Sequence, residues 1–85
     1  EASNAWLYRV SKAALNMVVA SARHSYPRAV LAAFHPGWVQ TDMGGAQAPV
    51  TVTDSVAGLR RTLAALTLAD SGAFLRYDGQ RLASW

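Results

Sequence analysis

Ala29-Val30-Leu31-Ala32-Ala33-Phe34 is an apolar run of six residues in which no polar side chain alternates with the apolar ones. Pro27 stands before the run, and Pro36-Gly37 follows it. A short apolar run between such breakers is typical of a strand that is covered on both faces, as in a parallel sheet. A buried helical turn is the alternative that the same residues allow. We expect the strand.

The residues before this run predict a helix from about Trp6 to Ser25, because the segment contains neither Gly nor Pro. Ser3 or Asn4 can cap its start, and Pro27 prevents its continuation. Apolar residues recur along it at spacings of three and four, which gives the helix an apolar face formed by Leu7, Val10, Ala14, Met17 and Val18.

The residues after the run predict a long loop, a second helix and a second strand. The loop extends from about His35 to Val52, and at roughly 17 residues it is longer than most connections in compact domains. We expect the helix to begin with Thr53 as its N-cap and to end near Ala69. The strand is expected over Ala73–Tyr77, before a turn at Asp78-Gly79.

The order helix, strand, loop, helix, strand is typical of the α/β class. Two strands are too few for a doubly wound sheet, and they would leave unpaired edges. We therefore expect these 85 residues to form one portion of a larger α/β domain. The first residue is Glu1 rather than Met, which agrees with that expectation.

The composition excludes several classes of protein. With 52% hydrophobic and 15% charged residues, the chain is not intrinsically disordered. The absence of cysteine excludes disulfides, thiolate zinc sites and thiol nucleophiles. The basic residues are scattered, so neither a nucleic-acid partner nor a membrane is predicted, and no apolar stretch reaches the length of a span. Neither His24 nor His35 has a second ligand at metal spacing, so no metal site is expected.

Tyr8 and Lys12 are four residues apart on the first predicted helix and therefore share one face of it. An ammonium beside a phenol favours the ionised phenolate, so the pair is a candidate general acid and base. A surface tyrosine beside a lysine is the alternative, because many helices contain this spacing by chance.

Three segments, in order, resemble the short-chain dehydrogenase/reductase family. Tyr8-Arg9-Val10-Ser11-Lys12-Ala13-Ala14-Leu15-Asn16 is similar to its active-site helix. His35-Pro36-Gly37-Trp38-Val39-Gln40-Thr41-Asp42-Met43 is similar to the Pro-Gly segment that follows its sixth strand and lies beside the nicotinamide. The ending from Gly72 to Trp85 resembles the C-factor/Sniffer-like carbonyl-reductase branch of the family.

The resemblance implies a role for each matching residue. Tyr8 would exchange a proton with the substrate oxygen, and Lys12 would hold the ribose hydroxyls of the nicotinamide nucleotide. Ser11 would pack or form a hydrogen bond within the helix. Other implied cofactor contacts come from the segment after the strand, namely Pro36, Gly37, Val39 and Thr41, and the substrate pocket would include Trp38 and Met43.

The resemblance also implies a Rossmann-like doubly wound parallel sheet, of which residues 1–85 would be the C-terminal portion, with two helices, two strands and a long substrate loop. The N-terminal cofactor-binding half would be absent, including the glycine-rich turn and the catalytic serine upstream of the tyrosine. The residues that separate NAD from NADP are in that half, so either cofactor is expected, and the branch favours NADP.

The function implied is that of a cytoplasmic oxidoreductase that acts on a small carbonyl or alcohol, although the 85 residues alone would be inactive. The alternative is a non-catalytic fragment or assembly module that pairs through its apolar helix face with another copy or with a complementary half. Homo-oligomers through the active-site helix are expected from the resemblance.

Overall fold

The computed structural model describes residues 2–42 and 45–83, and it contains two helices within those ranges. Helix α1 spans Ala2–Ala22 and continues into a 3-10 turn at Arg23–Ser25. Helix α2 spans Val52–Ala65 and is followed by a 3-10 turn at Leu68–Asp70. Because α1 already begins at Ala2, the expectation that Ser3 or Asn4 caps it is wrong.

Two strands, β1 at Ala33–His35 and β2 at Phe74–Arg76, form a parallel sheet in the described part of the chain. The register pairs Ala33 with Phe74 and His35 with Arg76. Parallel neighbours require a crossover connection, which is supplied here by the loop after β1 and by α2. The predicted α/β class is therefore confirmed.

Strand β1 is shorter than the predicted strand over Ala29–Phe34. The Ser71 hydroxyl donates to Ala29 O (3.2 Å) and accepts from Leu31 N (3.1 Å), while Gly72 N donates to Leu31 O (2.6 Å). Residues 29–31 are thus held by a side chain and by a turn with Gly72 at φ +90°, so the regular ladder begins only at Ala33.

The predicted N-cap of the second helix is also wrong. Thr51 precedes α2 with an extended backbone, and its Oγ1 accepts a hydrogen bond from Asp54 N (3.1 Å). This is the geometry of an N-cap, in which a hydroxyl satisfies a donor of the first turn. Thr53 therefore lies inside the first turn rather than before it.

Helix α2 ends at Ala65 instead of near Ala69 because a separate turn begins at Thr67. The Thr67 N–H donates to Asp70 (2.8 Å), and Asp70 also forms an ion pair with Arg81. The hydrogen bond from Thr67, and next the charge of Arg81, hold the pKa of Asp70 below its ordinary value. The carboxylate thereby fixes the chain between α2 and β2.

The buried apolar residues lie on β2 and at the end of the loop that follows β1. They are Ala48, Val50, Phe74 and Leu75. Large apolar side chains of α1 are more than half exposed, namely Trp6, Leu7, Val10, Leu15, Met17 and Val18. The described core therefore leaves the apolar side chains of α1 uncovered. Neither helix in the described ranges combines the length and the hydropathy that crossing a bilayer requires.

Candidate active site

Helix α1 places Tyr8 and Lys12 one turn apart. The Lys12 Nζ atom lies 5.4 Å from the centroid of the Tyr8 ring, close enough for a cation-π contact. The Tyr8 side chain is half-exposed, and Lys12 is partly buried. Ser11 Oγ donates to Tyr8 O (2.7 Å), so its hydroxyl is engaged within the helix, as expected. The pair offers an acidic hydroxyl and an ammonium on one surface.

A cavity of about 710 Å³ separates this surface from the segment that follows β1. Its lining includes Tyr8 and Lys12 from α1, His35 at the end of β1, and Pro36, Gly37 and Trp38 after β1. The volume falls within the usual range for a small-molecule site. The structure thus brings together side chains that are more than 20 residues apart in the sequence.

A second cavity of about 600 Å³ shares Tyr8, Pro36, Gly37 and Trp38 with the first. Val39 and Thr41, which the sequence assigned to the site, line this second cavity and not the first. Every predicted site residue that the structure describes therefore lines one cavity or the other. Met43, expected in the substrate pocket, lies outside the described residues.

Helix α2 contributes residues to the second cavity that sequence reasoning did not assign to the site: Val52, Ser55, Val56 and Leu59. Val56 and Leu59 are three residues apart, a spacing that gives a helix an apolar face. The same spacing does not show whether such a face meets the sheet or a cavity, because that depends on how the helix crosses the strands. No sequence pattern identified Ser55 as a site residue.

Hydrogen bonds connect the beginning and the end of the long loop after β1. Val39 and Val50 form a parallel bridge, in which Gln40 N donates to Val50 O (2.8 Å) and Val50 N donates to Trp38 O (3.1 Å). The Gln40 side-chain amide donates to Ala48 O (2.9 Å). These bonds hold residues 38–40 beside the cavities, although the loop itself is long.

Gly37 makes the closest approach in this segment. Its φ is +88°, and a Cβ atom at this position would lie 2.9 Å from the Tyr77 ring and 3.2 Å from a methyl of Val50. Only glycine accommodates both the positive φ and the contact with the ring. Gly37 is thus packed against Tyr77, which follows β2, and the Pro36-Gly37 pair lines both cavities together with Tyr8.

Comparison with known proteins extends these observations, although no family model matches the chain. The chain is 48% identical over 77 residues to C-signal from Myxococcus xanthus. Its fold is similar to the carbonyl reductase Sniffer of D. melanogaster (TM-score 0.84, 42% identity) and to the NADPH-bound carbonyl reductase from chicken fatty liver (TM-score 0.83, 44% identity). The resemblance of the chain to the short-chain dehydrogenase/reductase family is therefore confirmed.

The similarity to these family members extends over nearly the whole chain but over only a part of each relative. It covers 88% of this chain and 46% of C-signal. For each of the two reductases it covers 92% of this chain and 32% of theirs. The chain therefore spans less than half the length of the relatives that it matches. The fold similarity to the two reductases confirms the Rossmann-like class that is expected from the sequence.

Proposed function

We propose that this chain is the C-terminal part of an oxidoreductase that transfers a hydride between a nicotinamide dinucleotide and a small carbonyl or alcohol. The observation that carries the proposal is that Tyr8 and Lys12 line the same cavity as the Pro36-Gly37 segment. The similarity to two carbonyl reductases supports it. We call the protein in which the remaining part of the fold accompanies this chain the complete enzyme.

One further observation supports a larger domain. Asn16 Nδ2 is buried and forms no hydrogen bond with any described residue. Nearly all buried polar atoms of folded proteins have a partner, so a single buried donor requires an explanation. A strand or loop of the remaining fold, packed against α1, would supply the acceptor and would also cover the exposed apolar side chains of this helix.

The residues around the first cavity fit the nicotinamide end of the cofactor. Lys12 provides ammonium protons for the ribose hydroxyls, and Pro36 and Gly37 form a close-packed wall opposite. Val39 and Thr41, on the second cavity, provide backbone groups and a hydroxyl for the carboxamide or pyrophosphate. NADP is favoured because one of the similar carbonyl reductases is NADPH-bound.

The cofactor, when bound, supplies or accepts the hydride. The Tyr8 hydroxyl donates its proton to the carbonyl oxygen, and the Lys12 ammonium, 5.4 Å from the ring centroid, stabilises the phenolate that remains. Trp38, whose side chain is mostly exposed, forms a wall on which an apolar part of the substrate packs. In the reverse direction the phenolate accepts the proton of an alcohol.

Tyr8→Phe tests the proposal in the complete enzyme. The substitution keeps the ring and removes the proton donor, so we expect turnover to fall by about 10²- to 10⁴-fold, the usual contribution of general acid catalysis. The Kd for NADPH should stay near that of the wild type, because Lys12 and the wall of Pro36 and Gly37 remain. Turnover equal to that of the wild type would refute the proton-donor role.

A second candidate function is that of a non-catalytic assembly module. The exposed apolar side chains of α1 favour it, because a helix face of this kind is normally covered by protein. The occupant in this case would be α1 of a second copy, which makes a homo-oligomer. Light scattering of the isolated chain distinguishes the two candidates: a module forms a defined oligomer, whereas the separated part of an enzyme does not.

A further inference from the structure

The peptide between Pro36 and Gly37 is held at both of its polar ends. The Ser55 hydroxyl of α2 donates to Pro36 O (2.8 Å), and Gly37 N donates to His35 Nδ1 (2.9 Å). A trans peptide is planar, and its carbonyl and amide point in opposite directions. The two hydrogen bonds together therefore fix the orientation of this plane, which borders both cavities beside Tyr8.

Ser55 is more deeply buried than any other polar side chain in the described part of the protein, with 3% of its surface exposed. It lies in the first turns of α2, where Ser55 N donates to Thr51 O (3.0 Å), so the helix itself fixes its position. Removal of this hydroxyl takes away the donor to the Pro36 carbonyl, so one end of the peptide plane would lose the bond that directs it.

The plane needs such support because Gly37 permits rotation. Glycine populates positive and negative φ about equally, so its backbone alone does not select the observed value of +88°. The Tyr77 ring and Val50 limit the space beside Gly37 Cα but form no hydrogen bond with the Pro36 carbonyl in the described structure. Ser55 therefore supplies the hydrogen bond that directs the carbonyl end of the plane, while His35 holds the amide end.

We propose that Ser55 is a positioning residue, which holds the Pro36-Gly37 peptide in the orientation that the nicotinamide end of the cofactor requires. The inference rests on the proposed function, since it concerns the wall opposite Tyr8 and Lys12. Ser55 acts through the peptide and takes no part in proton transfer. Its loss should weaken cofactor binding in a way that a merely structural hydroxyl of α2 would not reproduce.

Thr62 provides the matched control. It lies on the same helix, and its Oγ1 also donates to a backbone carbonyl, that of Tyr77 (3.2 Å), but it lines neither cavity beside Tyr8. Ser55→Ala and Thr62→Ala each remove one hydroxyl donor from α2. In the complete enzyme we expect Ser55→Ala to raise the Kd for NADPH by about tenfold, the effect of one lost hydrogen bond to an oriented group. Thr62→Ala should change it by less than about twofold, and Ser55→Thr, which keeps the hydroxyl, should restore tight binding.

Amide hydrogen exchange of the cofactor-free complete enzyme gives a second readout that needs no activity. Ser55→Ala should speed exchange at residues 37–41, whereas Thr62→Ala should leave these amides unchanged. Equal Kd values in wild type and Ser55→Ala, or unchanged exchange at residues 37–41, would overturn the role of Ser55 while the proposed function stands. A wild-type protein that binds no NADPH would instead overturn the proposed function and, with it, the cofactor role of the peptide.

Discussion

At the scale of single residues, the proposed chemistry depends on the four-residue spacing of Tyr8 and Lys12. On a helix this spacing is sufficient to bring the ammonium within 5.4 Å of the ring centroid, with no help from the rest of the fold. The pairing was therefore predictable from the sequence. The opposite wall was not predictable by spacing, because Pro36 and Gly37 reach Tyr8 only through the packing of the helices on the sheet.

Lys12→Met tests both roles that the proposal gives to Lys12. The variant keeps much of the aliphatic chain and removes the ammonium, so both the binding of NADPH and the rate of turnover should fall in the complete enzyme. Loss of a charged hydrogen-bond donor predicts a Kd about 10- to 100-fold higher. Arg9→Met removes a positive charge from an exposed position of the same helix and should leave both quantities unchanged. An unaltered Kd in Lys12→Met would contradict the assignment.

At the scale of elements, the position of α2 depends on close contacts with the residues that follow the two strands. Ser55 reaches the carbonyl of Pro36 after β1, and buried Gly58 lies against Tyr77 after β2. Local signals gave the existence of α2 but not its start, since Thr51 and Thr53 are both competent N-caps. The tertiary contacts of Ser55 and Gly58 belong to a helix that is capped by Thr51 and begins at Val52, and no pattern of single residues encodes them.

Gly58→Ala tests the close approach of α2 to β2. Intrinsic helix propensity alone would make alanine stabilising by about 1 kcal/mol. A Cβ atom at this position would lie 2.5 Å from the backbone oxygen of Tyr77, so α2 would have to move away from Tyr77. We therefore expect the free energy of unfolding to fall by about 1–3 kcal/mol. Chemical unfolding of the complete enzyme measures whether the free energy of unfolding rises or falls. A comparison of Arg60→Gly with Arg60→Ala, at an exposed position of α2, measures the effect of helix propensity alone. A Gly58→Ala variant that is more stable than the wild type would refute the close contact with Tyr77.

At the scale of the whole molecule, the buried apolar surface is small in relation to the surface that α1 exposes. The described core consists of short segments around β2 and the returning loop, whereas the large apolar side chains of α1 are more than half exposed. A chain of this size has only a small free energy of unfolding even when its core is well formed. The sequence predicts only two strands of an α/β sheet. The structure correspondingly leaves the large apolar side chains of α1 uncovered.

The isolated 85-residue chain should therefore neither unfold cooperatively nor bind NADPH tightly. Circular dichroism during heating should show a broad change without a sharp midpoint, because few side chains are buried together. Titration with NADPH should give no saturable quenching of tryptophan fluorescence, although Trp38 borders the cavity and would report a bound nucleotide. The complete enzyme, titrated in parallel, is the positive control. Saturable quenching in a cooperatively folded sample would mean that α1, the loop and the two strands form a usable cofactor surface by themselves, through self-association of α1 or without it.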